Sequence, residues 1–144
     1  MKQLLLFCIS FNLLIALPLK KIDNSIIDYN TKLLWQDTIS NTQRVFTHKE
    51  AIHYCKNLKL RGFTGWRLPT VDEYKTIVDT NREDDKPKVK KVFEHVIAEY
   101  YWTNDRTWVR NFGLYSYYIF FKSGTFYYQN RTYQKYVKCV HTIN

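Results

Sequence analysis

Three cysteines constrain this chain more than any other feature, because their positions divide a leader from a folded body. Cys8 lies inside Leu4 to Leu17, an apolar run broken only by Ser10 and Asn12 and preceded by the basic start Met1-Lys2. That pattern is a secretory signal peptide in form, so residues 1–17 are expected to leave and residues 18–144 to form the mature chain. The run is shorter than the roughly 20 apolar residues that a spanning helix needs, and Pro18-Leu19-Lys20-Lys21 closes it. An uncleaved anchor is the alternative, since Ala16 is small but Leu14 is not, and it would be the one means of membrane attachment. Cys8 has no lipidation box around it. Cys55 and Cys139 then remain in an oxidising compartment, which favours a disulfide over two buried free thiols. A zinc site is disfavoured, because two distant cysteines without CxxC or spaced histidines make no ligand set.

Composition supports one domain. At 144 residues with 45% hydrophobic and 17% aromatic content, the chain can bury a sizeable core, while 4 Gly and 3 Pro exclude collagen-like and linker-like classes. The formal charge is +9, from 22 Lys and Arg against 13 Asp and Glu; loss of Lys2 with the leader makes it +8 and favours anionic partners.

The order of elements is α+β. Ser25–Tyr29 and Leu33–Gln36 read as strands around the polar turn Asn30-Thr31-Lys32. Thr47 and Glu50 have the spacing of a capping box, followed by Ala51, Ile52, Cys55 and Leu58 at helical intervals. A second box, Thr70 and Glu73, opens a short helix with Val71, Tyr74, Ile77 and Val78 on its buried side, just after Pro69 stops the preceding segment. After the charged loop 81–88, the spacing of Val89, Val92, Phe93, Val96, Ile97 and Tyr100 predicts a third, amphipathic helix. From Tyr101 onward, aromatic and β-branched runs at 101–103, 107–109, 115–121, 125–129 and 136–141 predict an antiparallel meander with Cys139 in its last strand. No internal repeat or linker divides the mature chain.

The ordered residues Thr31-Lys32-Leu33-Leu34-Trp35-Gln36-Asp37, Ala51-x-x-Tyr54-Cys55-x-Asn57-Leu58, Gly62-Phe63-Thr64-Gly65-Trp66-Arg67-Leu68-Pro69-Thr70-x-x-Glu73, Tyr101-Trp102-Thr103 and Lys138-Cys139-Val140 resemble the C-terminal domain family of the Legionella collagen-like adhesin, Lcl. This is a bacterial domain of unknown function common in secreted proteins. The resemblance covers nearly the whole mature chain, and Trp-Arg-Leu-Pro-Thr with its following Glu is the most specific piece. It implies a single C-type-lectin-like domain, two or three helices packed on a mainly antiparallel sheet, in which a cysteine of the first helix pairs with one of the last strand. Lys32 stands where the family usually has Gly, and Lys138 where it usually has Arg.

The motif residues Trp35, Trp66, Leu68, Pro69 and Trp102 are expected to be structural, with Arg67 in an internal pair with Glu73 or Asp72. No residue pattern points to catalysis. His48, His53, His95 and His141 are scattered, Ser123 lacks a nucleophile elbow, and Asp84-Asp85 lies in a solvated loop. The formylglycine-generating oxidases of lectin-like fold would need cysteines that a disulfide would consume. The expectation is no enzyme, no cofactor and no metal.

Binding has more behind it. Lys86, Lys88, Lys90 and Lys91 form one basic cluster, and Arg106, Arg110, Lys122, Arg131, Lys135 and Lys138 intersperse the tyrosine-rich tail. Together with Tyr127 and Tyr133, these residues, Lys138 excepted, are the candidate ligand set: cations for sulfate or carboxylate, rings for sugar faces. The expected partner is an anionic polysaccharide such as a glycosaminoglycan, which agrees with the adhesin the family is named for, or another envelope component. The same chemistry would suit single-stranded nucleic acid, which a secreted chain rarely meets. A calcium-dependent lectin is disfavoured, since Glu-Pro-Asn and Gln-Pro-Asp are missing. The alternative is a structural subunit of the envelope, with homo-oligomers formed through exposed aromatics. The expected location is extracytoplasmic: periplasm, cell surface or secreted. Convergence of the basic side chains beside an aromatic groove would separate the two readings.

Overall fold

A computed structural model describes residues 19–109 and 113–144. The expected leader, residues 1–17, and the candidate ligand residue Arg110 lie outside the described residues. The architecture is α+β, with two antiparallel sheets and two short helices. The first sheet has the order β1 (Lys20–Ile22), β2 (Ser25–Asp28), β3 (Leu33–Gln36), β7 (Val140–Thr142). The second is the meander β4 (Tyr100–Val109), β5 (Gly113–Phe120), β6 (Thr125–Asn130). Between the sheets in the chain come α1 (His48–Asn57) and α2 (Val71–Lys75).

Strand β3 explains why its sequence lacks alternation. Leu33 and Trp35 pack into one buried cluster with Tyr74, Phe93, Tyr101 and Phe121. Leu34, on the other face, packs into a second with Ala51, Cys55, Trp66, Leu68 and Trp102. A strand buried on both faces reads as a continuous apolar run. The turn into it is fixed by the Asp28 carboxylate, which accepts from the Asn30 and Thr31 N–H groups at 3.0 and 3.3 Å. Lys32 completes the turn at φ 55, a left-handed conformation that favours glycine.

Both helices start at the capping boxes expected of them. The Thr47 and Thr70 hydroxyls accept from the Glu50 and Glu73 N–H groups, and each glutamate returns a bond to its cap residue's N–H. The third helix is not formed. Val89, Phe93 and Val96 are buried, as the pattern required, but residues 89–99 are an irregular strap across the core. Its backbone groups find tertiary partners in place of i→i−4 bonds. Lys90 N–H donates to Ile77 O, the N–H groups of Glu94 and His95 both donate to the Asp37 carboxylate at 3.0 Å, and Ile97 N–H donates to the Tyr101 hydroxyl. The β-branched side chains of the buried Val89 and Val96 and of the half-buried Val92 and Ile97 also weaken the helix.

The tail differs from a simple meander in two ways. The segments 101–103 and 107–109 are one strand, β4, interrupted by a bulge between Trp102 and Arg106. The bulge aims Asp105 at α2, where its carboxylate accepts the Val71 N–H at 2.5 Å, and Asn104 N–H donates to Pro69 O. The last strand does not join the meander. Residues 135–139 make only isolated bridges to Phe46 and Tyr101, and Val140–Thr142 pair with β3 in the first sheet. The Cys55–Cys139 disulfide, with Cα atoms 5.6 Å apart, ties α1 to the residue that enters β7.

Candidate functional site

The motif around residue 67 is an internal joint. Arg67 donates two bonds to the Glu73 carboxylate at 2.8 and 2.6 Å and a third to the Thr142 hydroxyl, while its backbone pairs with Val140. The same carboxylate accepts the Thr70 N–H at 2.8 Å. Burial pushes the Glu73 carboxyl up, but these bonds outweigh it and hold it below the usual carboxylate range. One fork thus fixes the first turn of α2 to β7. Trp66, Leu68, Trp35 and Trp102 are buried, Trp102 donating its indole N–H to Phe46 O at 2.8 Å.

Two cations of the tail are withdrawn from the surface. Lys138 is fully buried, donating to Gln36 O at 2.6 Å and to the Asp37 carboxylate at 3.3 Å. Asp37 also pairs with Lys21, which bridges on to Glu94. Burial lowers the Lys138 ammonium to about 8, and the Asp37 charge only partly offsets it. Burial raises the Asp37 carboxyl, but Lys138 and the two backbone N–H groups overcome this and leave it below its ordinary value. Lys135, of the candidate ligand set, is 5% exposed. Its ammonium sits 3.9 Å from the Tyr118 ring centre and about 5 Å from those of Tyr100 and Trp102, and donates to Gln129 Oε1 at 2.6 Å. Desolvation lowers it to about 8. Caged in this way, Lys135 does not reach a ligand.

The other candidates fall into separate groups. Lys86 pairs with Asp85, and Lys88 is folded inward, donating to Arg82 O, Glu83 O and the Asp84 carboxylate. Lys90 and Lys91 stay exposed beside that loop. Lys122 lines a pocket of about 500 Å³ together with Asp84, Asp85 and Glu99, so its surroundings are acidic. Arg106 and Arg131 do come together. Arg131 donates to Tyr115 O and the Ser116 hydroxyl, and burial, then the nearby Arg106 charge, lowers its pKa. Tyr127 is exposed with its ring 5.8 Å from Tyr118, and Tyr133 is exposed in the following turn.

A groove of about 850 Å³ lies elsewhere, along the outer side of α1. Phe46, Tyr54 and Leu58 supply its apolar lining and Arg44, Lys49 and Lys59 its charge, with His53 and Asn57 between them. The Arg44 guanidinium lies 4.8 Å over the Phe46 ring, and Phe46 and Tyr54 are 5.0 Å apart. Tyr54 is held by its hydroxyl, bonded to Gln36 Nε2 at 2.9 Å. The one carboxylate there, Glu50, is engaged with the Thr47 N–H as the helix cap, which lowers its pKa. Arg44, Lys49 and Lys59 have no ion-pair partner among the described residues. Sequence reasoning passed over this group. Lys49, His53 and Asn57 at helical spacing were the available signal, and a polar solvent face is the ordinary state of such a helix.

These features define a disulfide-tied α+β domain built around an Arg–Glu joint and a cationic groove. Residues 24–141 match the model of the Lcl C-terminal domain, and the chain belongs to that family. No curated protein and no solved structure matches it. Among the described residues, no helix is long and apolar enough to cross a membrane, and no group of three His, Cys, Asp or Glu side chains is placed to hold a metal.

Proposed function

We propose that this chain is an extracytoplasmic, non-catalytic binding module, C-type-lectin-like in fold, whose α1 groove holds an anionic polysaccharide. The groove carries the reading: three cations without carboxylate partners stand over an apolar lining, so each is free to pair with a sulfate or carboxylate of a ligand. Arg44 offers a bidentate fork, while Lys49 and Lys59 act as point charges. Family membership supports the reading, since the adhesin of its name looks like a glycosaminoglycan binder. The disulfide supports both the oxidising location and the lectin-like fold, in which the first helix is joined to the last strand. It also leaves neither Cys55 nor Cys139 free as a nucleophile or metal ligand, which argues against formylglycine-generating chemistry. The purified protein is expected to be retained on immobilised heparin at low salt, to elute as salt rises, and to behave identically in chelator. Absence of retention at low salt refutes the reading.

The alternative, a structural subunit of the envelope, draws on a different observation. Trp108 is 69% exposed and lies opposite Leu114, also exposed, near the far end of the β4–β5 hairpin. Crosslinking in whole cells that captures an envelope protein through Trp108, with no heparin retention, favours that reading.

A further inference from the structure

The sheet edges of this domain are unequally protected. An open edge presents unpaired N–H and C=O groups, and proteins cover it, shorten it, or place Lys, Pro or a bulge on it. Strand β1 is three residues long and carries Lys20 and Lys21. Strand β7 is covered by Arg67, whose backbone pairs with Val140. Strand β4 is covered by Tyr136 and Pro69 as far as its bulge, and Arg106 follows. Strand β6 has none of these devices. Its six residues, Thr125–Asn130, contain no charge, proline or bulge, and among the described residues it pairs only with β5.

Its free groups can be identified from the register. Arg131 N–H donates to Leu114 O in the same register as the pair Asn130 and Tyr115, so Leu114 and Arg131 form a hydrogen-bonded pair. Hydrogen-bonded and non-bonded pairs alternate along an antiparallel ladder. Thr125, Tyr127 and Gln129 therefore bond to β5, and Phe126, Tyr128 and Asn130 turn their backbone groups outward. Asn130 O accepts from Tyr133 N–H, which leaves the N–H and C=O of Phe126 and Tyr128, and the N–H of Asn130, without a partner among the described residues.

We infer that β6 is the strand-addition edge for a second copy of this chain, giving a two-fold dimer in which two three-stranded sheets become one. An antiparallel pairing centred on Tyr127 sets Phe126 opposite Tyr128 of the second copy and Tyr128 opposite its Phe126. The four open groups of Phe126 and Tyr128 are then used, and the residues set opposite each other lie on one face of the sheet, as pairing requires. Tyr127, 46% exposed, meets its own copy at the narrow non-bonded position, extending the contact it makes with Tyr118. Neutrality also selects this edge, because two strongly basic chains repel wherever charged strands meet. The same two-fold brings Lys122 of one copy near the Arg131 turn of the other, so association strengthens as salt rises, opposite to heparin retention. The inference is independent of the groove.

Sedimentation of the purified protein over micromolar to millimolar concentration, at low and high salt, tests it. The expected result is a mass rising toward twice the monomer, more readily at high salt, with slowed amide exchange at Phe126 and Tyr128. Tyr128→Pro removes an N–H that β5 does not use, and Tyr127→Lys places like charges face to face at an exposed position; at least one of them is expected to fold with unchanged melting, and each that does to remain monomeric. A wild-type chain that is monomeric at millimolar concentration overturns the inference, and so does a folded variant of either kind that associates as before.

Discussion

The perturbation that examines the core most sharply is Lys138→Met. The side chain is fully buried, and its ammonium links Gln36 O at 2.6 Å to the Asp37 carboxylate at 3.3 Å. Methionine keeps the length and the packing against Phe93 but leaves Asp37 without its closest buried cation. Removing one partner of a buried pair costs about 3–5 kcal/mol. Asp37 keeps the Glu94 and His95 N–H groups and a longer contact with Lys21, which puts the expected loss near the lower end, about 3 kcal/mol. Urea unfolding at neutral pH measures it. A second arm uses pH. The Lys138 pKa is about 8 in the folded chain against 10.5 as its ordinary value, so between these the unfolded chain binds more protons and stability rises with pH. Lys135, lowered to about 8 by burial, contributes to the same window. The rise is expected to shrink in Lys138→Met, and Asp37→Asn combined with Lys138→Met is expected to be less destabilised than the two single changes added together. A loss below about 1 kcal/mol for Lys138→Met, with the alkaline rise unchanged, refutes the ion-pair account.

Other expectations follow from single features. Cys55→Ser with Cys139→Ser opens a crosslink spanning a sequence separation of 84 residues, and the chain-entropy relation gives a loss of about 4–5 kcal/mol, measurable as a lowered melting temperature. Lys32→Gly relieves a left-handed φ of 55 and is expected to stabilise by about 0.5–1 kcal/mol after the added unfolded-state freedom, read from the urea midpoint. Asp37 and Glu73 are both depressed below their ordinary values of 3.8 and 4.5, so the stability they contribute is present above those values and is lost as pH falls through the folded ones; acid titration by circular dichroism should show it.

Local signals that carry their own hydrogen bonds were legible in the sequence. The boxes at Thr47 and Thr70 placed both helix starts, Pro69 marked the end of the preceding segment, and an internal pair of Arg67 with Glu73 or Asp72 was expected, of which Glu73 is the partner found. The cysteines placed α1 against the end of the chain. What failed was periodicity without local support. Val89, Phe93 and Val96 are buried at helical spacing, yet Asp37, 57 residues from Glu94, supplies the acceptors that an α-helix would otherwise supply. The destination of the last strand was hidden for a similar reason, since pairing with β3 depends on topology and not on its own pattern. Charge was the least legible. Nothing local distinguishes Lys135 and Lys138, which are buried, from Lys90 and Lys91, which are not, and the groove cations Arg44 and Lys59 lie outside any run.

The central claim, that the groove over α1 is the polyanion site, is tested most directly by heparin affinity of Arg44→Ala/Lys49→Ala/Lys59→Ala beside Lys86→Ala/Lys90→Ala/Lys91→Ala. At about 0.5–1 kcal/mol per exposed charged contact, the groove variant is expected to bind roughly 10- to 100-fold more weakly, with a shallower salt dependence, while the loop variant stays near wild type. Equal retention of the groove variant and the wild type, or a loss confined to the loop variant, contradicts the account.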